Sequence, residues 1–322
     1  MGDMRYRRLG TSGLTVSVVG LGCNNFGHRI SDDQAQQVVD AAVDAGITLF
    51  DVADSYGRPN TGGAEITLGK VLGSRRSEVL VATKFGSDVG DLNGPAWDAR
   101  GARRYVRRAV QSSLSRLGTD WIDLYQLHKP DPLTPIEETL SVLDDLVREG
   151  LVRYVGSSNL AGWQITDADW VARTGGFEPF VSAQNHYSLL ERDIEAEVVP
   201  ACEHAGIGIL PYFPLANGLL TGKYARGHRA DSGRLAGRSD YLTDEKFDAV
   251  ERLQSFAKAR ELTLLDVAIG GLAAQPGVGS VIAGATSAYQ VRANAAAGDW
   301  DPEPADLAEL DLIVPGPTAD GT

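Results

Sequence analysis

Apolar residues recur along this chain in two alternating spacings, one typical of amphipathic helices and one of short buried strands. Ser31 and Gln34 form a predicted capping box, Val38 lies on the apolar face of the helix that follows, and Gly46 ends it before a strand at 47–50. The same order of cap, helix, glycine and strand predicts further helices that begin at Thr134, Asp193, Thr263 and Ser287. The chain therefore consists of repeated helix–strand units.

Eight apolar segments are predicted to be strands, and helical patterns separate nearly all of them. They lie at 16–20, 47–53, 79–83, 122–127, 152–156, 180–184, 207–210 and 278–282. Regular alternation predicts parallel strands joined by right-handed crossovers. Eight such units most simply close into a (β/α)8 TIM barrel, with an open doubly wound sheet as the alternative. No G-x-G-x-x-G motif opens a helix after the first strand, which disfavours that alternative.

Two segments flank the predicted barrel, and the whole chain, 1–322, is predicted to be a single domain. Residues 5–18 have Gly10 and Gly13 near their centre and are predicted to form a hairpin that plugs the bottom of the barrel. The acidic, proline-containing tail at 299–322 is expected either to cover the barrel mouth or to trail away.

Composition and charge exclude several classes of partner. The chain is 43% hydrophobic and 23% charged, as ordinary globular proteins are, and its formal net charge is -13. This charge argues against nucleic acid or an anionic membrane as partner, since both favour Lys/Arg patches. No run approaches the ~18 apolar residues of a membrane span. Two cysteines, Cys23 and Cys202, make neither a metal motif nor a disulfide framework, so a reduced, cytoplasmic compartment is expected.

Four polar side chains directly follow adjacent predicted strands. Asp51 and Tyr56 follow the second strand, Lys84 the third and His128 the fourth. Each residue alone has an ordinary explanation as a turn or loop residue. Active sites of such barrels lie at the C-terminal strand ends, so these four are expected to meet there.

The four residue types suit reduction of a carbonyl group without a metal ion. Hydride addition to carbon leaves negative charge on oxygen, which must be protonated or stabilised. The Lys84 ammonium is expected to lower the pKa of the Tyr56 phenol, which is about 10 when unperturbed. Asp51 is expected to hold that ammonium in place, and His128 is expected to form a hydrogen bond with the substrate oxygen.

The chain also resembles a known family, the aldo-keto reductases, over nearly its whole length. The motifs that show this lie at 50–57, 117–128, 152–159 and 218–224. The resemblance is closest to bacterial members that share ancestry with potassium-channel β-subunits. It implies that Asp51, Tyr56, Lys84 and His128 form a catalytic tetrad. It also implies reduction of aldehydes, ketones or sugar-like carbonyls with NADPH, with NADH as the less favoured cofactor.

The resemblance further implies a cofactor site. Ser158, Asn159 and Gln184 would form hydrogen bonds with the nicotinamide carboxamide. Tyr212 would stack on the nicotinamide ring. The remaining implied cofactor residues are Asn24, Asp51, Phe213, Pro214, Leu215, Ala216, Asn217, Lys223, Arg234, Gly284, Thr286, Gln290 and Asn294. The segment around Lys223 corresponds to the pyrophosphate loop. The segment that begins at Gly284 corresponds to the site for the adenosine and its 2'-phosphate. Asn25 and Trp97 are candidates for the substrate pocket.

Some positions depart from the family pattern. Phe213 replaces a frequent serine, and Ala293 replaces a frequent glutamate, so each removes one expected cofactor contact. Two alternatives to carbonyl reduction stay open: a cofactor-binding regulatory subunit like the channel β-subunits, and alcohol oxidation by the same residues. The channel subunits tend to lack the tetrad histidine, whereas this chain has His128. Neither the substrate nor the oligomeric state follows from the sequence.

Overall fold

The chain begins with a hairpin and continues as an alternation of parallel strands and helices. We describe it from a computed structural model, in residues 4–95, 97, 99–226, 235 and 241–317. The hairpin pairs β1 (Tyr6–Arg8) with β2 (Thr15–Ser17) in antiparallel register. The parallel strands are β3 (Val19–Gly22), β4 (Leu49–Asp51), β5 (Leu80–Phe85), β6 (Ile122–Leu127), β7 (Val152–Ser158), β8 (Ser182–Gln184), β9 (Gly208–Ile209) and β10 (Val281–Gly284).

Helices connect successive strands and cover the outside of the sheet. They are α1 (Asp32–Asp44), α2 (Gly63–Leu72), α3 (Arg103–Leu117), α4 (Ile136–Arg148), α5 (Gly162–Gly175), α6 (Val198–Ala205), α7 (Asp244–Ala259), α8 (Leu264–Ala273), α9 (Ala288–Ala297) and α10 (Pro304–Ile313). The predicted apolar face of α1 is buried, with Val38 fully inaccessible. The predicted caps of α1, α8 and α9 are confirmed, because Ser31, Thr263 and Ser287 each accept a backbone N–H three residues on.

The parallel sheet closes on itself, which confirms the predicted barrel. The strand order is β10-β3-β4-β5-β6-β7-β8-β9, so β9 and β10 lie at its two ends. The Gly279 amide donates to Ile209 O at 2.8 Å, and the Ile282 amide donates to Pro211 O at 3.0 Å. These bonds join the last strand to the strand before it, and they exclude the open sheet.

The hairpin plugs the N-terminal end of the barrel, as predicted. Leu9 and Val16 are fully buried and pack with Leu124 of β6 and Ile282 of β10 inside the barrel. Gly10 adopts a positive φ of 57°, and a Cβ there would lie 2.3 Å from Gly206 O. Only glycine therefore permits this close approach of the hairpin to the loop before β9.

Several predicted boundaries are wrong. The predicted strand 16–20 combines two strands, because β2 ends at Ser17 and β3 begins at Val19. The last strand lies at Val281–Gly284 rather than 278–282. The predicted helix 193–205 is a 3₁₀ turn at Asp193–Glu195 followed by α6.

The predicted cap of α4 is also wrong. Thr134 Oγ1 donates to the Asp131 carboxylate at 2.7 Å, so it does not cap the helix. Pro135 occupies the cap position, and the helix begins at Ile136.

The tail neither covers the barrel mouth nor trails away over its described length. Helix α10 packs against α7, with Leu310 fully buried in a cluster that includes Leu253. Arg260 of α7 forms ion pairs with Asp306 at 2.8 Å and Glu309 at 2.6 Å. Up to this helix the tail thus packs against the helices outside the barrel.

Candidate active site

A cavity of about 790 Å³ opens at the C-terminal ends of the barrel strands. Asp51, Ser158, Gln184 and Gly284 are the last residues of their strands, and all four line it. The complete set of sequence-predicted residues that line it is Asn24, Asn25, Asp51, Tyr56, His128, Ser158, Asn159, Gln184, Tyr212, Phe213, Pro214, Leu215, Asn217, Lys223, Gly284, Thr286, Gln290 and Asn294. Residues that are far apart in sequence thus meet at one end of the barrel.

Lys84 lies beneath the cavity and joins two of the predicted catalytic side chains. Its Nζ donates to Asp51 Oδ1 at 2.8 Å, to Asp51 Oδ2 at 2.7 Å and to Val52 O at 3.0 Å. It also donates to Tyr56 Oη at 3.2 Å. Because an ammonium group only donates hydrogen bonds, the Tyr56 hydroxyl proton is left to point away from Lys84. The side chains of Lys84 and Asp51 are 0% and 4% exposed, so this ion pair is buried.

Burial and the ion pair set the protonation of these groups. Burial lowers the pKa of Lys84, but Asp51 and Tyr56 outweigh this effect and the pKa is raised overall. Burial also raises the pKa of Tyr56 above its ordinary value, while Lys84 acts to lower it. Lys84 thus acts in the expected direction, but desolvation is larger. In this arrangement the lysine is charged and the phenol protonated at neutral pH.

His128 lies beside Tyr56 at the cavity wall. The two rings meet edge to face, with centroids 5.9 Å apart and an interplanar angle of 81°. Nδ1 of His128 lies 3.4 Å from Ser55 Oγ. Burial, followed by the charges of Lys84 and Lys129, lowers the pKa of His128 to about 3. The imidazole is therefore neutral at physiological pH and has one N–H to donate.

A cluster of amides and a hydroxyl forms another part of the cavity wall. Asn159 Nδ2 donates to His128 O and to Ser158 Oγ, both at 3.0 Å. Gln184 Nε2 donates to Asp51 Oδ1 at 2.8 Å and to Gln126 Oε1 at 3.4 Å. Each of the two amide nitrogens thus donates both of its hydrogens to acceptors within the protein. The cluster presents oxygen acceptors to the cavity.

Three aromatic rings stand together at the cavity edge after β8 and β9. His186 and Tyr212 stack with centroids 5.4 Å apart, and Phe213 meets both edge-on, at 5.8 Å and 5.2 Å. Tyr212 Oη donates to Asn159 Oδ1 at 2.8 Å. Phe213 has a φ of 55°, a conformation that is strained for a bulky residue by about 1–3 kcal/mol. Its ring contacts offset part of this strain, since each is worth about 0.5–1.5 kcal/mol.

The loop that follows places a lysine side chain over a glycine. Ala216, Asn217 and Gly218 all have positive φ, and the amides of Ala216 and Gly218 donate to Phe213 O at 2.9 Å and to Leu215 O at 2.8 Å. The Lys223 side chain folds over Gly218, where a Cβ would lie 2.9 Å from Nζ. Gly218 therefore makes room for a cation above the loop.

The first turn of α9 lines the far end of the cavity. Gln290 Oε1 accepts from the Thr286 amide at 2.8 Å and from Thr286 Oγ1 at 3.1 Å. Between Gly284 and Asn294, the residues that line the cavity carry no charge. The helix N-terminus itself supplies the positive potential at this end.

Three of the predicted site residues that the structure describes do not line the cavity: Lys84, which lies beneath it, Trp97 and Ala216. Trp97 is 65% exposed and lies over the guanidinium groups of Arg104 and Arg108, at 4.8 Å and 5.8 Å. Ala216 is buried behind the loop. Arg234 lies outside the described residues.

The sequence did not single out several residues that line the cavity, among them Arg29, Lys129, Thr221, Leu265 and Tyr289. Lys129 follows His128 directly, and Arg29 lies in the loop after β3, so their positions on βα loops are the signal that could have found them. No group of His, Cys, Asp and Glu in the described part of the chain could hold a metal ion. No described helix is long and apolar enough to cross a membrane.

A buried carboxyl group behind Tyr56 was also missed. Asp54 is fully buried, and its Oδ2 accepts from Asn93 Nδ2 at 2.8 Å. A second buried carboxylate, Glu65, accepts from Arg116 Nε and from Thr83 Oγ1, both at 2.6 Å. Burial, followed by the charge of Glu65, raises the pKa of Asp54 to about 8. Asp54 is therefore mostly protonated at neutral pH.

Comparison with known proteins agrees with this geometry. The model of the "Aldo/keto reductase family" matches residues 18–314. The chain belongs to the aldo/keto reductase family. Membership confirms the resemblance found in the motifs, and it makes the chain an oxidoreductase of a family that acts on small carbonyl compounds with nicotinamide cofactors.

Several relatives within the aldo/keto reductase family match most of the chain. An "Uncharacterized oxidoreductase YrpG" of Bacillus subtilis (strain 168) is 37% identical, over 98% of this chain and 97% of its own. A "Probable voltage-gated potassium channel subunit beta" of Oryza sativa subsp. japonica is 34% identical, over 93% and 92%. A "Versiconal hemiacetal acetate reductase" of Aspergillus parasiticus is 31% identical, over 85% and 86%. The relatives that match most of the chain thus include proteins named as enzymes and one named as a channel subunit.

Proposed function

We propose that this protein reduces aldehydes or ketones with NADPH, with Tyr56 as the proton donor. The observation that carries the proposal is the contact of Lys84 Nζ with Tyr56 Oη at 3.2 Å, backed by the Asp51 ion pair, beside the cavity. No metal ion is needed, because the hydroxyl, the ammonium and the imidazole supply the proton and the stabilising charge.

The cavity residues fit a nicotinamide cofactor. Gln184 has its amide nitrogen bound by Asp51 and Gln126, so its Oε1 is available to accept from a carboxamide NH₂ group. The Tyr212 ring provides a flat apolar face for the nicotinamide ring. The Lys223 ammonium, which lies over Gly218, would hold the pyrophosphate. When bound, this cofactor supplies the hydride.

Tyr56 donates the proton, and its neighbours stabilise and orient the groups involved. The hydroxyl proton points away from Lys84, so it is available to the substrate oxygen. As that oxygen takes the proton, the remaining phenolate is stabilised by the Lys84 ammonium, and solvent later restores the proton. His128, neutral at physiological pH, donates its N–H to the same oxygen and orients it. The same residues would serve alcohol oxidation in the reverse direction.

Preference for NADPH over NADH is supported by the N-terminus of α9. Thr286 and the cap Ser287 lie at this helix start, which attracts a phosphate group. Because the lining residues from Gly284 to Asn294 are uncharged, we expect a moderate preference. The adenosine 2'-phosphate would take this place.

We expect the purified protein to quench NADPH fluorescence on binding and to bind NADPH about tenfold more tightly than NADH. We also expect oxidation of NADPH, seen as loss of its near-ultraviolet absorbance, with at least one activated aldehyde. A panel of aldehydes, ketones and sugar-like carbonyls, assayed with each cofactor, measures both. Absence of binding to either cofactor would overturn the proposed function. Binding without turnover across the panel would favour the regulatory alternative.

A further inference from the structure

His186 and Tyr212 lie side by side on neighbouring extended segments. The two residues form a parallel β-bridge, and the Tyr212 amide donates to Asn185 O at 3.1 Å. Residues paired in this way project their side chains to the same side of the sheet. The pairing of the two backbone segments therefore places the two rings next to each other, where they stack.

The contact covers one face of Tyr212. The rings are 10° from parallel, with centroids 5.4 Å apart, which is an offset stack. Tyr212 lines the cavity, whereas His186 does not. The imidazole therefore stacks on the tyrosine ring without itself lining the cavity.

The imidazole is held by packing. Nε2 of His186 is buried and has no hydrogen-bond partner among the described residues. Burial lowers the pKa of His186, so the ring is neutral at physiological pH. A neutral ring without a hydrogen bond at Nε2 interacts with its neighbours through packing, as an apolar aromatic ring does.

Phe213 completes the support. Its ring meets His186 at 88° and Tyr212 at 82°, so it closes the edge of the stack. Where family members frequently have serine, this chain thus has a third ring that packs on the other two. The departure at Phe213 and the histidine at 186 belong to one arrangement.

We propose that His186 is a positioning residue for the cofactor: it fixes the ring plane of Tyr212, against which the nicotinamide ring stacks. This inference rests on the proposed function. Tyr212 is held at its tip by Asn159 and at its face by His186, so it keeps its plane before the cofactor arrives. Preorganisation of this kind raises affinity, because the ring need not be ordered on binding.

We expect His186→Ala to raise the Kd for NADPH about 5- to 10-fold, with kcat at saturating cofactor changed by less than about threefold. His186→Phe is expected to bind within about twofold of wild type, because it restores a stacking ring and loses no bond at Nε2. Fluorescence titration gives Kd, and thermal unfolding of each variant shows that it is folded. His204→Ala, on the exposed end of α6, is the matched control and should bind as wild type does.

A double-mutant cycle tests whether His186 acts through Tyr212. In a Tyr212→Ala background, adding His186→Ala should raise Kd by less than about twofold. An equal rise in both backgrounds, or no rise in His186→Ala alone, or no recovery in His186→Phe, would overturn the inference while leaving the proposed function intact. Failure of the wild-type protein to bind any nicotinamide cofactor would instead overturn the proposed function, and the inference with it.

Discussion

Tyr56→Phe is expected to lower kcat for carbonyl reduction by about 10²–10⁴-fold, because it removes the proposed proton donor. Phenylalanine keeps the ring that packs against His128 and lies 4.9 Å from Lys84 Nζ, so the cavity shape should persist. Since the hydroxyl is needed only as charge develops on the substrate oxygen, cofactor affinity should stay within about twofold of wild type. Steady-state kinetics with an activated aldehyde and an NADPH fluorescence titration measure the two effects.

Tyr125→Phe provides a matched control for this substitution. Tyr125 of β6 is fully buried, stacks on Phe85 at 4.7 Å, and its Oη has no hydrogen-bond partner among the described residues. The same chemical change there should leave kcat near the wild-type value. If Tyr56→Phe retained as much activity as Tyr125→Phe, Tyr56 could not be the proton donor.

Asp54→Asn is expected to stabilise the protein increasingly as the pH rises. In the folded chain the pKa of Asp54 is raised from 3.8 to about 8, first by burial and then by Glu65. Between these values the unfolded chain releases a proton that the folded chain keeps, so the stability contributed by Asp54 falls as the pH rises. Below about pH 4 and above about pH 8 this contribution is constant. Asparagine does not titrate and retains an oxygen for Asn93.

The expected difference in the free energy of unfolding between Asp54→Asn and wild type is on the order of a few kcal/mol by about pH 8. Urea unfolding at about pH 5, 6.5 and 8 measures it for both proteins. Asp33→Asn, on the exposed first turn of α1, is the control for loss of one acidic side chain. A difference that stays constant across this range would show that Asp54 is ionised in the folded protein.

This carboxyl group bears on the site, because it lies two residues before Tyr56. The Asp54 amide donates to Lys84 O at 3.2 Å, so the loop with the tyrosine is tied to the strand with the lysine. A neutral Asp54 adds no second negative charge near the Lys84–Asp51 pair. The acid behind the loop thus supports its shape without competing for the ammonium.

Local interactions explain what could be predicted of the fold. The caps at Ser31 and Thr263 are formed with residues three positions on, so a short sequence window contains both partners. The alternation of helix and strand follows from apolar spacing in the same way, and it was sufficient to predict the barrel. The four tetrad positions followed from one further rule, that the C-terminal strand ends meet.

Long-range packing decided what the sequence patterns could not. The sequence pattern at 16–20 predicts one strand, yet β2 pairs within the hairpin and β3 pairs within the barrel. The predicted cap at Thr134 failed for a local reason instead, because its hydroxyl donates to the carboxylate of Asp131, three residues earlier. The path of the chain thus decides the strand pairing, whereas two nearby polar residues decide the cap.

The sequence, with the family resemblance, predicted the eight-strand barrel, the hairpin at its lower end, and many of the residues that line the cavity at its C-terminal end. Only the tertiary structure decided that Asp54 is neutral, that burial outweighs Lys84 at Tyr56, and that His186 supports Tyr212. Helical periods and caps depend on neighbours within about four residues, which a sequence displays. Desolvation and ring stacking depend on which distant segments exclude water or stand alongside, and those neighbours exist only once the barrel has closed.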